Sequence, residues 1–189
     1  QLISRVQVLN EAGDYASAIP LAERALVLIE QVFGPEHAMV ASHMDVLGAG
    51  FFAMGRHDQA LPLSLRALAI SEKGEGPEHP STSFRLDNLA ELYQAMGRHE
   101  QALPLFQRAL AISEKANGPD HPTTGTRLSK LAELCRTMGR YEQALPLSQR
   151  ALAISEKANG PEHPRTGNRL NNLAVLYQAM GRYEAALLL

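Results

Sequence analysis

Along the chain, apolar residues recur at helical spacing and then stop at a glycine. In LDNLAELYQAM, Leu86, Leu89, Ala90 and Tyr93 share one face of a 3.6-residue helix. Gly97 closes that helix, because glycine takes the left-handed conformation a helix end asks for. A second helix is predicted over residues 99–116, with Ala102, Leu105, Phe106, Ala109, Leu110 and Ile112 on one broad face. In NGPDHP, Gly118 and Pro119 stop it and Pro122 opens the next one.

The whole unit repeats. The glycine returns at Gly13, Gly55, Gly97, Gly139 and Gly181, and an alanine follows at Ala18, Ala60, Ala102, Ala144 and Ala186, a period of 42 residues. Of the 25 residues in 98–122, 22 recur in 140–164, so the pattern is duplication rather than shared composition. A helix pair of this size cannot bury its apolar face alone, so an all-α solenoid of stacked antiparallel helix pairs is expected. The expected organisation is one array over residues 1–189: a partial repeat at 1–37, full repeats at 38–79, 80–121 and 122–163, and a truncated one at 164–189. Pro20, Pro62, Pro104 and Pro146 fall past the first turn of each second helix, where proline costs about 3 kcal/mol. A bend or a late start is predicted there.

The motif within the period resembles the tetratricopeptide repeat. Its Trp-x2-Leu-Gly-x2-Tyr and Ala-x3-Phe pattern is filled in order by Leu86, Leu89, Ala90 and Tyr93, then Ala102 and Phe106, and again by Leu170, Leu173, Ala174 and Tyr177. The 42-residue form, with RALAISEKANGPEHP at 150–164 and NNLAVLYQAMGRYEAAL at 171–187, is similar to the repeats of kinesin light chains and their prokaryotic relatives. The resemblance implies a right-handed α–α superhelix. It also implies a non-catalytic scaffold that holds a peptide or protein segment in a concave groove lined by the first helices. For kinesin light chains that ligand is an acidic, aromatic peptide.

If the core residues of each first helix occupy one arc, the opposite arc faces the groove. It carries Ser42, Asp45, Val46, Ala49 and Phe52 in the second period, and Phe84, Asp87, Asn88, Glu91 and Gln94 in the third. Thr126, Ser129, Lys130, Glu133 and Arg136 follow in the fourth, and Asn168, Asn171, Asn172, Val175 and Gln178 in the fifth. By resemblance, Asn88 and Asn172 fall on the asparagine with which such grooves grip a peptide backbone or carboxylate, and an amide both donates and accepts. Lys130 replaces it with a point charge. Phe84 and Phe52 are candidate apolar anchors, Phe52 with ordinary core as its alternative. Asp45, Asp87, Glu91 and Glu133 outnumber Lys130 and Arg136, so a mixed or basic peptide suits this groove as well as an acidic one. Arg85, Arg127 and Arg169 open the first helices and are expected to pair with acidic residues at the end of the preceding second helix, such as Glu72, Glu114 and Glu156, with clamping of a ligand as the alternative.

Composition narrows the partners. The 189 residues are 45% hydrophobic with a net charge of -2, and 18 Lys+Arg against 20 Asp+Glu leave no basic footprint for nucleic acid or anionic membrane. No run approaches the roughly 20 apolar residues that span a bilayer, and QLISRVQVLNEAG is not a signal peptide. The single Cys135 points to a reducing compartment, the cytoplasm. Gln1 and the final EAALLL read as cuts through a longer protein. Two alternatives to a free-standing scaffold stay open. One is a regulatory arm of a multidomain signalling or protease protein, and the other is self-association through faces such as Leu187 to Leu189.

No enzyme, cofactor or metal site is expected. His37, His79, His121 and His163 sit one per period in the connectors, held on the order of 20 Å apart, too far to share an ion, and capping is the role expected of them. His57 and His99 give way to Tyr141 and Tyr183, so that place takes an amphipathic ring. Cys135 stands where Tyr93 and Tyr177 stand and reads as core.

Overall fold

The computed structural model describes residues 1–188. Among these, α1 (Leu2–Glu11) and α2 (Tyr15–Phe33) form the first helix pair, α3 (Ala38–Ala53) and α4 (His57–Gly74) the second, α5 (Pro80–Ala95) and α6 (His99–Asn117) the third. α7 (Pro122–Thr137) with α8 (Tyr141–Asn159) and α9 (Pro164–Ala179) with the short α10 (Tyr183–Leu187) follow. The described residues contain no strand. They divide into two compact units, Gln1–Arg98 and His99–Leu189. Within the first, α1 to α4 each pack on the next helix; within the second, α6 to α9 do the same, and α7 also touches α9.

Each return from first to second helix is the same short turn. Gly55 and Gly139 have φ of 70° and 72°. Beside them the amide of Arg56 bonds the Phe51 carbonyl and that of Arg140 the Cys135 carbonyl, both at 2.8 Å, while Gly55 and Gly139 reach back to Phe52 and Arg136. These are the paired bonds of a Schellman end, which satisfy carbonyls the helix leaves orphaned. At the other end the connector histidines cap the first helices. His37, His79, His121 and His163 accept the amides of Met39, Ser81, Thr123 and Arg165 on Nδ1 at 3.1 to 3.2 Å. Pro80, Pro122 and Pro164 follow at the first helical position, where no donor is missed.

The late start expected at the prolines does not occur. α2, α4, α6 and α8 begin five residues ahead of Pro20, Pro62, Pro104 and Pro146 and run unbroken through them. The carbonyls deprived of a donor belong to Ala16, Asp58, Glu100 and Glu142, all exposed second residues of their helices that water can serve.

A buried polar contact, absent from the expectations above, joins each second helix to the first helix after it. Ser113 Oγ lies 2.9 Å from Thr124 Oγ1, and Thr124 donates to the Gly118 carbonyl at 2.9 Å. Asn117 donates to Ser113 from behind, at 3.4 Å. Ser155, Thr166, Gly160 and Asn159 repeat the chain of bonds, and Ser71, Thr82 and Gly76 repeat its core. At the first junction both hydroxyls are replaced, by Ile29 and Val40, which are buried in the apolar core of the first unit. A buried hydroxyl pair is sound when complete and costly when halved. Thr124→Val, which removes one partner each from Ser113 and the Gly118 carbonyl in a buried chain, is therefore expected to destabilise by about 1–3 kcal/mol in urea unfolding. Adding Ser113→Ile, which copies the first junction, is expected to recover part of that loss. A double variant worse than the single would show that the site needs hydroxyls for their shape rather than their bonds.

Candidate functional site

The first-helix face of the first unit is open. α3 and α5 diverge over α4 to leave a cleft of about 660 Å³, walled by Val46, Ala49, Phe52, Phe84, Asn88 and Glu91 and floored by Gly48, Ala60, Ser64 and Leu92. The absence of side chains at Gly48 and the small Ala49 and Ala60 make the space. Val46, Phe52 and Phe84 remain 40%, 39% and 54% exposed, an unusual concentration of large apolar surface on one face. Phe51, not Phe52, belongs to the core. Val46 also borders a second hollow of about 240 Å³ between α1 and α3, lined by Ile3, Val6, Ala22, Ala25 and His43.

The second unit presents its equivalent positions closed. Between α7 and α9 the space shrinks to about 10 Å³, bordered by Ser129, Glu133, Arg136, Arg169 and Asn172. Arg136 grips Glu133 with two bonds of 2.8 and 2.5 Å across the turn. That pairing with Glu133 raises the Arg136 pKa further. Lys130 is half-buried, and Asn171, Asn172 and Gln178 are exposed. Asn88 and Glu91 line the large cleft, whereas Gln94 is half-buried further along α5.

Two expectations about this face need correction. Asp87 and Ser129 were expected as open groove positions, but both are buried, at 5% and 8% exposure, Ser129 only edging the small space between α7 and α9. Each shares its helix side with residues four before and three after, Ser83 and Ala90 or Gly125 and Ala132, and all four are buried. The open arc is narrower than the pattern implied. The arginines also find other partners. Arg85, buried, meets Asp45 at 3.1 Å and Glu75 at 3.3 Å. Glu114 is held by Arg150 at 2.5 Å, and Arg169 meets no carboxylate among the described residues, Glu156 included. Arg85 thus reaches the end of the preceding second helix as expected, though at Glu75 and not Glu72, and also crosses to Asp45 of the preceding first helix.

Cys135 is buried, and burial raises its thiol pKa, the opposite of an activated nucleophile. Among the described residues no three His, Cys, Asp or Glu side chains gather as a metal site, and no helix is long and apolar enough to cross a membrane. Tyr183 and Leu187 on α10 are exposed; Leu189, the last of the residues expected to offer a self-association face, lies outside the described residues.

Asp45 is the electrostatic feature of the cleft wall. Burial pushes its carboxyl from 3.8 up to about 6, against the opposing pull of Arg85, with Glu75 adding a smaller upward push. Glu75, bonded by Ser71 at 2.7 Å, is lowered instead. An acid whose pKa rises on folding takes up a proton as the chain folds, so Asp45's contribution to stability falls as pH climbs from about 4 to about 6. Relative to Asp45→Asn, the parent chain is expected to lose stability across that interval, by at most about 3 kcal/mol. Urea unfolding of both at several pH values measures the difference. A difference that grows with pH would mean that the Arg85 pairing outweighs burial.

The comparisons agree with this architecture. The tetratricopeptide repeat model matches residues 2–73, 47–115, 81–157 and 127–189. The nearly identical TPR-like repeats of a Podosopora anserina protein described as a kinesin light chain superpose with a TM-score of 0.87, at 26% identity over 98% of this chain and 88% of that one. BtubC of P. vanneervenii gives 0.86 at 22% identity, over 98% and 74% of the two chains. The apo form of RapI gives 0.85 at 19%, over 99% and 65%. No curated protein matches the chain in sequence. With its helix pairs, turns and motif residues in place over four overlapping matches, the chain belongs to the tetratricopeptide repeat family, whose arrays serve as protein-interaction scaffolds.

Proposed function

We propose that this protein binds a polypeptide segment, without catalysis, on its first-helix face, and that the cleft between α3 and α5 takes the segment's main apolar anchor. The observation that carries this reading is the 660 Å³ cleft with Phe52, Phe84 and Val46 left in water around it. Large side chains kept exposed around a hollow gain free energy when a partner covers them, and aromatic anchors in such pockets dominate interface energies. Asn88 stands half-buried on the same wall, where its amide serves a peptide backbone whatever the side-chain sequence. In the second unit taken by itself, Lys130, Asn171, Asn172 and Gln178 are the polar candidates, on the helices α7 and α9 whose Glu133–Arg136 pair is tied. Charge gives less guidance than apolar shape, because Asp45 is already engaged by Arg85.

Selection of a random peptide library on the chain, followed by anisotropy titration of a labelled binder, tests the reading. Phe84→Ala and Asn88→Ala are each expected to weaken binding roughly tenfold or more, equivalent to about 1.4 kcal/mol, with the helical circular dichroism unchanged. Unchanged affinity in both variants would move the site away from the cleft. The pair Lys130→Ala and Asn172→Ala reports whether the second unit takes part.

A further inference from the structure

The hollow between α1 and α3 shares only Val46 with the larger cleft. It measures about 240 Å³, and its floor is the buried trio Val6, Ala22 and Ala25. Ile3 and Val46, both partly exposed, wall it together with the half-buried His43. An apolar cavity of about 150 Å³ already suffices for benzene, so this one has room for a second ring. In later periods the same places are polar or charged. Counting on by 42, His43 becomes Arg85, Arg127 and Arg169, Ile3 becomes Asp45, Asp87 and Ser129, and Val46 becomes Asn88, Lys130 and Asn172. The first period exchanges all of these for one imidazole and two aliphatic side chains.

His43 sets the chemistry of this space. Its Nδ1 lies 2.8 Å from the Met39 carbonyl, and a carbonyl only accepts, so Nδ1 carries the hydrogen. In the uncharged ring Nε2 is then a bare acceptor, with no partner of its own among the described residues. Glu11, exposed at the rim, is the one carboxylate bordering the hollow, and it takes the Gln7 amide at 3.1 Å. Its charge disfavours an anion. Asn10, half-buried, is the remaining polar neighbour. The lining therefore suits a neutral molecule with an apolar body and one hydrogen to give. A peptide main chain fits it poorly, because Val46 offers nothing to backbone groups that would lose their water. We propose that this hollow is a binding site for a small neutral aromatic molecule with a single N–H or O–H donor, the size of an indole or a phenol. The ring rests on Val6, Ala22 and Ala25, and the donor meets His43 Nε2.

Indole is the probe, and because the chain has no tryptophan its fluorescence reports binding directly. Benzofuran, nearly the same shape without a donor, and benzoate, an anion, are the controls, followed on the chain labelled with 15N-histidine. The His43 ring signals are those lost in His43→Phe. Indole is expected to shift His43 Nε2 saturably, with benzofuran and benzoate each about tenfold weaker or more. His43→Phe keeps a ring but removes the acceptor, and is expected to weaken indole about tenfold. Ala25→Leu fills the floor and is expected to abolish binding, with helical circular dichroism retained in both variants. No saturable shift with indole would overturn the site. Equal affinity for benzofuran, or for indole in His43→Phe, would overturn the role of the donor, and indole binding that survives Ala25→Leu would place the molecule elsewhere. Phe84→Ala separates this site from the cleft: it is expected to weaken the selected peptide while indole binds as before. Loss of indole in that variant would assign the molecule to the cleft and overturn the inference.

Discussion

Where Ser113 meets Thr124, two hydroxyls with almost no exposure lie 2.9 Å apart, in a chain that runs from Asn117 through both to the Gly118 carbonyl. The contact spans a connector whose Gly118 carbonyl takes the threonine proton. It therefore fixes the end of one helix, the loop and the start of the next as a single hydrogen-bonded object. In a low-dielectric interior such a chain is strong when complete and strongly unfavourable when broken, which is the property that makes it a register mark. Apolar packing alone, with alanines and leucines repeated every turn, is much more tolerant of sliding. The capping histidine beside it and the Schellman glycine at the far end of the first helix then set where that helix begins and stops.

One substitution in this device connects it to the binding face. Asn117 and Asn159 donate to the serine, which leaves the serine proton for threonine. Glu75 stands at the same place in the earlier repeat and accepts from Ser71 at 2.7 Å, so there Thr82 must supply the proton for their shared contact as well as for Gly76. The exchange leaves the hydroxyl pair slightly short of donors but places a carboxylate within 3.3 Å of Arg85. The buried Arg85 thereby has a carboxylate on either side, and holds Asp45 in the cleft wall. A buried charge of this kind persists only when paired, so the connector and the groove are fixed together.

Much of the fold was legible because duplication writes the same physical demand several times. The glycine every 42 residues, the connector histidines and the apolar arcs each name a backbone or packing requirement that tolerates few residue types. The threonine and serine of the hinge recur as regularly, at Ser71, Ser113 and Ser155 and at Thr82, Thr124 and Thr166, yet a polar residue at helical spacing reads first as surface. Their burial follows from tertiary packing, which hydropathy cannot report. Asp87 and Ser129 were misplaced for a related reason: a helix flanked by three others, as α7 is by α6, α8 and α9, buries far more than one arc. Nor could the pattern say that Arg85 reaches Asp45 of the preceding first helix as well as Glu75 at the end of the preceding second one. The prolines failed as helix-start signals because the carbonyl they strand lies in water at the helix entrance.

The two units build the same face with different contents, and the difference follows from volume and charge. In α3 the positions facing the cleft are Val46, Ala49 and Phe52, with Gly48 beneath them; in α7 they are Lys130, Glu133 and Arg136, with Ala132 beneath. A long acid and a long base one turn apart find each other and lie down across the space, as Glu133 and Arg136 do at 2.5 Å. Short apolar residues have nothing to span it with, so the space stays open and the phenylalanines at its rim stay wet. The open cleft is thus the place where the repeat stops satisfying itself. A partner's apolar group is worth most there, since the protein supplies no competing side chain to displace.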